Sequence, residues 1–284
     1  MAQTLHSNNP NHNSRGSKLV KGVLIMVSVV FILVMLVIPM IAVITYAMQK
    51  GFQAYQEAVL DHFTIKALQL TLTATAAAIF INTVFGVFAA WTLTKYQFRF
   101  KQLLITLIDI PFAVSPVIAG LIFILTYGRI GWAYDFLKAI DIKIVFAVPG
   151  IILATVFVTF PFISRELIPV LSAQGTQEEE AAALMGASGL TIFRRITFPH
   201  IKWALLYGIV LCSARAMGEF GAVSVLSGHL RGKTNTLPLH VEILYNEFNI
   251  TAAFAVSSIL VILAVIILIL RNVLEHKAKK VGET

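Results

Sequence analysis

Long stretches without a charged side chain are the feature that most constrains this chain. A helix that crosses a bilayer needs about 20 consecutive, mostly apolar residues. Four stretches meet this length and contain no Asp, Glu, Lys or Arg: residues 22–48, 67–94, 144–164 and 248–270. Because a helix satisfies its own backbone hydrogen bonds, it is the spanning element that lipid allows for such segments.

Two further stretches are almost free of charge. Residues 102–128 contain only Asp109, and residues 203–228 contain only Arg215 and Glu219. Charged residues make up 13% of the chain, about half the fraction typical of soluble domains. The sequence therefore predicts an all-α integral membrane protein with six transmembrane helices.

The net charge of +8 lies in short segments beside the predicted spans. With the spans numbered in order, one side of the membrane receives 14 Lys and Arg residues and the other receives 7. The positive-inside rule places the richer side, and with it both termini, in the cytoplasm. This distribution indicates contact with membrane lipid and argues against nucleic acid as a partner.

The ends and the cysteine content complete the organisation. Residues 1–18 are polar and Asn-rich, which predicts a disordered cytoplasmic tail. We assign residues 19–63 to the first span and its outer loop, with an interfacial helix around residues 52–63, and residues 272–284 to a second cytoplasmic tail. Residues 64–271 form the transmembrane core. The single cysteine, Cys212, excludes an intramolecular disulfide.

No motif of an enzyme or of a metal or cofactor site is present. The segment from Ser227 to Thr234, SGHLRGKT, approaches a phosphate-binding loop, but Gly228 and Gly232 are separated by three residues instead of four. No buried strand precedes it, and the charge distribution places it outside the cell. We therefore predict a non-enzymatic chain whose energy source is another subunit.

One charged segment, EEEAAALMGASGLTIFRRITFPHI at residues 178–201, lies between apolar spans on the cytoplasmic side. Thr176 and Glu179 have the spacing of a capping box, and three acidic residues in the first turn suit the helix dipole. Gly186 suits the left-handed end of a helix, and Ser188 suits the cap of a second one. The pattern predicts two short helices with a sharp corner, followed by Pro199 at the start of span five.

Two interpretations of this segment remain open from the residues alone. It is either a helical hairpin on the lipid surface or a docking element for a cytoplasmic partner. Small alanines near the corner favour docking, since they permit close approach by another chain, whereas lipid-surface helices carry bulky apolar residues.

The same segment resembles the EAA signature of ABC-transporter permeases. The signature is EAA, three residues, Gly, nine residues and I-x-L-P, and its matching positions here are Glu180, Ala181, Ala182, Gly186, Ile196, Phe198 and Pro199. Phe198 replaces the usual leucine. The resemblance implies a type I importer permease fold in which residues 172–199 form a coupling loop held by an ATP-hydrolysing subunit.

Three further segments are similar to the permeases of sulfate and thiosulfate import, most closely the CysW type. They are LLITLIDIPFAVSPVIAGLIF, TFPFISRELIPVL and ARAMGEFGAVSVLSG, and the likeness extends from Leu19 to Arg271. It implies a CysT-type permease partner, two ATP-binding subunits and a periplasmic sulfate-binding protein in a bacterial inner membrane. Molybdate or another oxyanion is an alternative cargo, and a stand-alone channel or secondary carrier is an alternative class.

Arg215 and Glu219 are the candidate pair inside the membrane. Four residues apart on a helix, they share one face. Each charge costs about 2.5–3.5 kcal/mol near the bilayer centre, so neither is expected to face lipid. The pair either braces helices or lines a translocation path with Gly218 and Gly221 beside it. Asp109 is a counter-ion for Arg215 or a solvated residue near the cytoplasmic end of span three.

Overall fold

The computed structural model describes residues 15–282, which form helices and turns and no strand. The helices of the first half are α1 (Arg15–Ile32), α2 (Ile38–Ala47), α3 (Phe52–Leu60), α4 (His62–Lys95), α5 (Lys101–Ala113), α6 (Pro116–Tyr127) and α7 (Tyr134–Ala139). Those of the second half are α8 (Val148–Gln174), α9 (Gln177–Leu184), α10 (Gly189–Ile192), α11 (Phe198–Met217), α12 (Gly221–Ser227), α13 (Leu237–Asn246) and α14 (Ile250–Gly282). Two π-helical turns, Leu33–Val37 and Phe193–Thr197, join α1 to α2 and α10 to α11.

Five continuous segments are long and apolar enough to cross a membrane, and the helices α5 and α6 form a sixth, bent candidate. The continuous segments are Val20–Ala47, His62–Lys95, Val148–Gln174, Gly189–Met217 and Ile250–His276. The prediction of an all-α membrane protein is confirmed. The third predicted span, residues 102–128, is the bent pair, in which α5 and α6 meet at 107°.

Proline chemistry accounts for the bend. Val114 and Ser115 are extended, and Pro116 begins α6. A proline has no N–H to donate and disfavours the helical conformation of the residue before it. Ser115 adopts ψ 131°, so the helix breaks there, whereas α8 continues through Pro161 and Pro169. The start of α6 packs against α12, where a Cβ on Gly221 would lie 3.0 Å from the Cβ of Pro116.

The fifth span also differs from its prediction, at both ends. The second loop helix runs without interruption into the span through the π-helical turn Phe193–Thr197, so Pro199 does not restart the chain. The main helix ends at Met217, and α12 begins only at Gly221. The expected span of residues 203–228 is therefore one helix, a break and a short second helix.

Helix α8 lies at the centre of the molecule, between α4 and α11. Close packing at Ile163 depends on two glycines. A Cβ on Gly86 of α4 would lie 2.8 Å from Ile163 Cγ2, and one on Gly208 of α11 would lie 3.2 Å from Ile163 Cα. Small residues allow membrane helices to approach in this way. The buried Asn82 joins the same three helices, because its Nδ2 donates to Thr159 Oγ1 of α8 at 2.8 Å and to Cys212 Sγ of α11 at 3.8 Å.

The first span is peripheral. Its second part, α2, packs against α14, and most of its large apolar side chains are exposed, as expected for lipid contact. The predicted interfacial helix forms as α3 at Phe52–Leu60. Of the predicted tails, residues 1–14, 283 and 284 lie outside the described residues, whereas α1 begins at Arg15 and α14 extends to Gly282.

Candidate functional site

The segment between α8 and α11 is called the inner loop, after its predicted cytoplasmic side. It begins with α9, whose first turn holds Glu178, Glu179 and Glu180 as predicted. The predicted capping box is wrong, because the Thr176 side chain makes no capping hydrogen bond. The Glu179 carboxylate instead lies 3.1 Å from Lys95 Nζ at the end of α4. A charge-assisted bond to an ammonium group is stronger than a neutral cap, so the lysine takes the carboxylate.

The predicted corner is confirmed. Gly186 has φ +83°, which only glycine adopts without strain. Its N–H donates to Ala183 O at 2.9 Å, and the next N–H, of Ala187, donates to Ala182 O at 3.0 Å. These two bonds form a Schellman motif. Ser188 Oγ then accepts from Thr191 N at 3.4 Å and caps α10, as predicted.

The corner presents apolar side chains that the sequence analysis did not single out. Leu184, Met185 and Leu190 are 90%, 82% and 78% exposed. They surround Gly186 in sequence and leave the tip of the loop uncovered by the rest of the described chain. The sequence signal for this surface was a long apolar side chain at a helix end, directly before a left-handed glycine.

The predicted docking residues divide by exposure. Glu180, Ala181, Gly186 and Pro199 are exposed, Ile196 is half-buried, and Ala182 is buried. Ala182 is the only buried residue of α9. The exposed part of the signature therefore lies on the same loop as the apolar corner, while Ala182 packs inward.

A cluster of polar contacts holds the base of the loop, and we call Lys95, Gly175, Glu179 and Thr197 the base cluster. Glu179 Oε1 accepts from Thr197 Oγ1 at 2.6 Å and lies 3.1 Å from Lys95 Nζ. Lys95 Nζ also donates to Gly175 O at 2.5 Å. The cluster therefore ties together the ends of α4 and α8, the start of α9 and the root of α11.

The predicted intramembrane pair forms, with 2.6 Å between Arg215 Nη1 and Glu219 Oε2. Its two members do not share one helix, since Glu219 lies in the break between α11 and α12. Glu219 Oε1 accepts from the backbone N–H of Ala222 at 2.9 Å, so the carboxylate also satisfies a donor at the start of α12. The glutamate side chain is 2% exposed and the arginine side chain 34%.

The two glycines beside this pair differ. A Cβ on Gly221 would press against Pro116, whereas a Cβ on Gly218 would meet nothing closer than Ala214 O at 3.9 Å. Gly218 also lines a cavity of about 400 Å³ between α11 and α14, with Leu211, Leu263 and Arg271 on its wall. Gly221 thus serves close packing, and Gly218 borders open space.

Asp109 is not a counter-ion for Arg215. It pairs with Arg165, with Nε 2.9 Å from Oδ1 and Nη2 3.0 Å from Oδ2. Arg165 also lies over the Phe112 ring at 4.9 Å. Arg165 directly follows the charge-free stretch of residues 144–164, but α8 continues to Gln174 and holds it well inside the helix. This half-exposed pair was missed because its members are 56 residues apart.

Comparison with known proteins agrees with this architecture. The chain matches the family described as binding-protein-dependent transport system inner membrane component over residues 82–280. It is 45% identical to the sulfate transport system permease protein CysW of Synechocystis sp., covering 91% of this chain and 94% of that protein. It is 47% identical to the protein of the same name from Escherichia coli (strain K12), over 85% and 83% of the two chains.

Among solved structures, a chain of a bacterial alginate ABC transporter, in complex with a pentasaccharide-bound periplasmic protein, superimposes with a TM-score of 0.76. It is 16% identical, and the match covers 95% of this chain and 97% of the other. This likeness shows the fold. The resemblance to ABC-transporter permeases of the CysW type is confirmed by these matches. The chain belongs to the family of binding-protein-dependent transport system inner membrane components.

Proposed function

We propose that this chain is the transmembrane permease subunit of an ATP-driven sulfate and thiosulfate importer. It forms half of the translocation pathway, and its inner loop docks an ATP-hydrolysing subunit. The proposed partners are a CysT-type permease, two ATP-binding subunits and a periplasmic sulfate-binding protein. The chain itself hydrolyses nothing.

The observation that carries the docking proposal is the exposed apolar corner at Gly186. Leucine and methionine side chains as exposed as Leu184 and Met185 favour a partner groove over water, and burying such a side chain yields about 1.5–3 kcal/mol. The neighbouring Glu180 is exposed as well and supplies charge at the rim. A helix end with apolar anchors and a polar rim is the form that groove-docking segments take.

The path proposal rests on the break between α11 and α12. Broken helices are tolerated at membrane depth where they are buried in protein or line a water-filled space. Arg215 lies beside the break, and its guanidinium is partly exposed although the paired carboxylate is enclosed. An arginine can bind an oxyanion through several N–H donors. Of the four predicted path residues, we assign Arg215 and Gly218 to the wall of the pathway and Glu219 and Gly221 to the bracing of the break beside it.

The proposed orientation follows from the charges and places the EAA loop and both termini in the cytoplasm. The base cluster and the Arg194–Arg195 pair then lie at the inner membrane surface, where the positive-inside rule expects basic residues. Sulfate as the cargo rests on the identity to the two CysW proteins.

Uptake competition tests the cargo. The importer is reconstituted in proteoliposomes with its partner subunits, and uptake of labelled sulfate is measured with unlabelled thiosulfate or molybdate in excess. Thiosulfate is expected to suppress the uptake, because it keeps three of the four oxygens of sulfate on the same central sulfur. Molybdate is expected to leave the uptake within about twofold, because all four of its oxygens lie on a larger central atom and fit a fixed donor set less well. Stronger suppression by molybdate would identify the chain as a molybdate permease.

A stand-alone channel or secondary carrier is the rival of a different class. The rival requires no cytoplasmic ATPase, so co-purification of an ATP-binding subunit distinguishes the two hypotheses. We expect an ATP-binding subunit to co-purify with the tagged wild-type chain and to dissociate when the corner carries charges, as in the double variant Leu184→Asp and Met185→Asp. Transport by the purified chain without that subunit would support the rival.

A further inference from the structure

We infer that Glu179, held by Lys95 and Thr197, is the positioning residue that transmits movement of the docked ATPase from the inner loop to the pathway helices. The inference rests on the proposed function, since it presumes a partner at the Gly186 corner. It adds a residue outside the assigned docking set and gives it a role distinct from docking.

Burial explains why the base cluster is needed. Ala182 is the only buried residue of α9, so little apolar surface holds this helix to the bundle. Apolar burial is the usual attachment of a helix to its protein. The Glu179 and Lys95 side chains are only 15% and 7% exposed, which places the main attachment of α9 in their ion pair.

Geometry explains how the cluster transmits force. One carboxylate oxygen, Glu179 Oε1, receives both Lys95 Nζ at 3.1 Å and Thr197 Oγ1 at 2.6 Å. Lys95 ends a 34-residue helix, α4, and Thr197 immediately precedes α11. A displacement of α9 therefore pulls on two helices that traverse the membrane. The far end of α11 carries Arg215, so the loop and the proposed path share one continuous element.

The neighbouring acidic residue supplies a matched control. Glu178 is one position earlier on the same helix turn and pairs with His200, with 3.1 Å between Oε2 and Nε2. Both members of that pair are largely exposed to solvent. Exposed pairs contribute little, because water and salt screen them. Glu178→Gln removes the same charge as Glu179→Gln but leaves the base cluster intact.

The functional test compares disruptive variants with the conservative variant Lys95→Arg in the complete reconstituted importer. Lys95→Met and Glu179→Gln are expected to retain the ATPase subunit and its hydrolysis, while the number of sulfate ions transported per ATP falls about tenfold. Lys95→Arg is expected to keep the ratio within about threefold of the wild type, since a guanidinium keeps donors for both Glu179 and Gly175 O. Glu178→Gln is expected to match the wild type.

Three results would overturn the inference. The first is a wild-type ratio in Lys95→Met or Glu179→Gln, and the second is loss of the ATPase subunit from either variant. The third is a ratio in Lys95→Arg that falls as far as in Lys95→Met. A wild-type importer that takes up no sulfate would contradict the proposed function before any variant is compared.

Hydrogen exchange of the α9 backbone amides tests the attachment of this helix independently of which ion is transported. Backbone amides of α9 are expected to exchange about tenfold faster in Lys95→Met and Glu179→Gln than in the wild type, because local opening becomes easier when the attachment is lost. Glu178→Gln should leave their exchange unchanged. Unchanged exchange of α9 in Lys95→Met would overturn the inference for any transported ion.

Discussion

The ion pairs at the two ends of span five resemble each other in chemistry and differ in enclosure. Lys95 and Glu179, which lie beside the start of α11, are both almost completely covered, whereas at the other end of the span Glu219 is covered and its partner Arg215 is one-third exposed. A pair enclosed on both sides has no group left for a ligand. We infer that the pair of Lys95 and Glu179 fixes a connection between helices and that the pair of Arg215 and Glu219 combines a fixed carboxylate with a reachable guanidinium.

This difference bears on the two interpretations of Arg215 and Glu219, bracing or lining a path. Glu219 accepts from Ala222 N and braces the break, while the exposed face of Arg215 is available to an anion. The two roles therefore fall on different residues. Variants that separate these roles are expected to change stability and uptake to different extents, from Glu219→Ala with the largest effect to Asp109→Asn with the smallest.

Glu219→Ala is expected to have the largest effect. The change removes the acceptor for Ala222 N and leaves Arg215 without a partner at membrane depth, and breaking a buried pair in this way costs about 3–5 kcal/mol. We expect loss of both the folded subunit and uptake, measured by thermal unfolding in detergent and by transport. The double variant Arg215→Met with Glu219→Gln should be more stable than Glu219→Ala yet inactive. Stability equal to the wild type in Glu219→Ala would remove the bracing role.

Gly186→Pro is expected to abolish uptake while the chain still inserts and folds. Proline is fixed near φ −65° and cannot adopt the φ of +83° at the corner, so Leu184 and Met185 lose their placement. Co-purification of the ATPase subunit and uptake of labelled sulfate measure the outcome. Gly186→Asn is the control, since asparagine tolerates left-handed geometry and should retain most of the activity. Normal co-purification and uptake in Gly186→Pro would contradict docking at the corner.

Charge reversal at Glu180 tests the rim of the same surface. Glu180→Lys is expected to weaken ATPase binding and uptake about tenfold, because an exposed charge at an interface mainly tunes partner recognition. Insertion into the membrane should be normal, and membrane extraction with comparison of yield checks it. Wild-type uptake would exclude a contact through this residue.

Asp109→Asn is expected to have the smallest effect. Its pair with Arg165 is half-exposed, and pairs of that kind contribute about 0–1 kcal/mol, which corresponds to less than about fivefold in uptake. Transport assays on the assembled importer measure the change. A complete loss of uptake would indicate that Asp109 and Arg165 line the pathway. An arginine outside the Arg215 pair would then also serve transport, which would weaken the contrast between the two ends of span five.

Local chemistry made much of this structure predictable. The uncharged runs identified the spans, and the left-handed Gly186, the Ser188 cap and the contact between Arg215 and Glu219 each depend on residues no more than five positions apart. The interactions that produce these features lie within one or two helical turns. The parts of the candidate site that depend on such local interactions could therefore be predicted from the sequence.

The remaining features depend on residues far apart in sequence. Glu179 has Lys95 as its partner, 84 positions earlier in the chain, and that contact displaced the predicted capping box. The bend at Val114–Ser115 depends on Pro116 and on the close packing of Pro116 against Gly221, which arises only in the folded chain. The apolar corner was missed because Leu184 and Met185 also suit a helix interior, and only tertiary structure reveals their exposure.

Sulfate uptake by the Arg215→Ala variant tests most directly the central claim that this arginine binds the transported anion. In an importer reconstituted with its partner permease, ATPase subunits and binding protein, Arg215→Ala is expected to lower ATP-dependent sulfate uptake about tenfold or more, because a hydrogen bond to a charged group contributes about 1.5–3 kcal/mol. Because Arg215→Ala leaves the enclosed Glu219 carboxylate without its cation, uptake is measured per assembled importer. Arg215→Lys keeps a cation beside Glu219 and should assemble and recover part of the rate. Wild-type sulfate uptake by an assembled Arg215→Ala importer would contradict the account and reduce the arginine to a structural partner of Glu219.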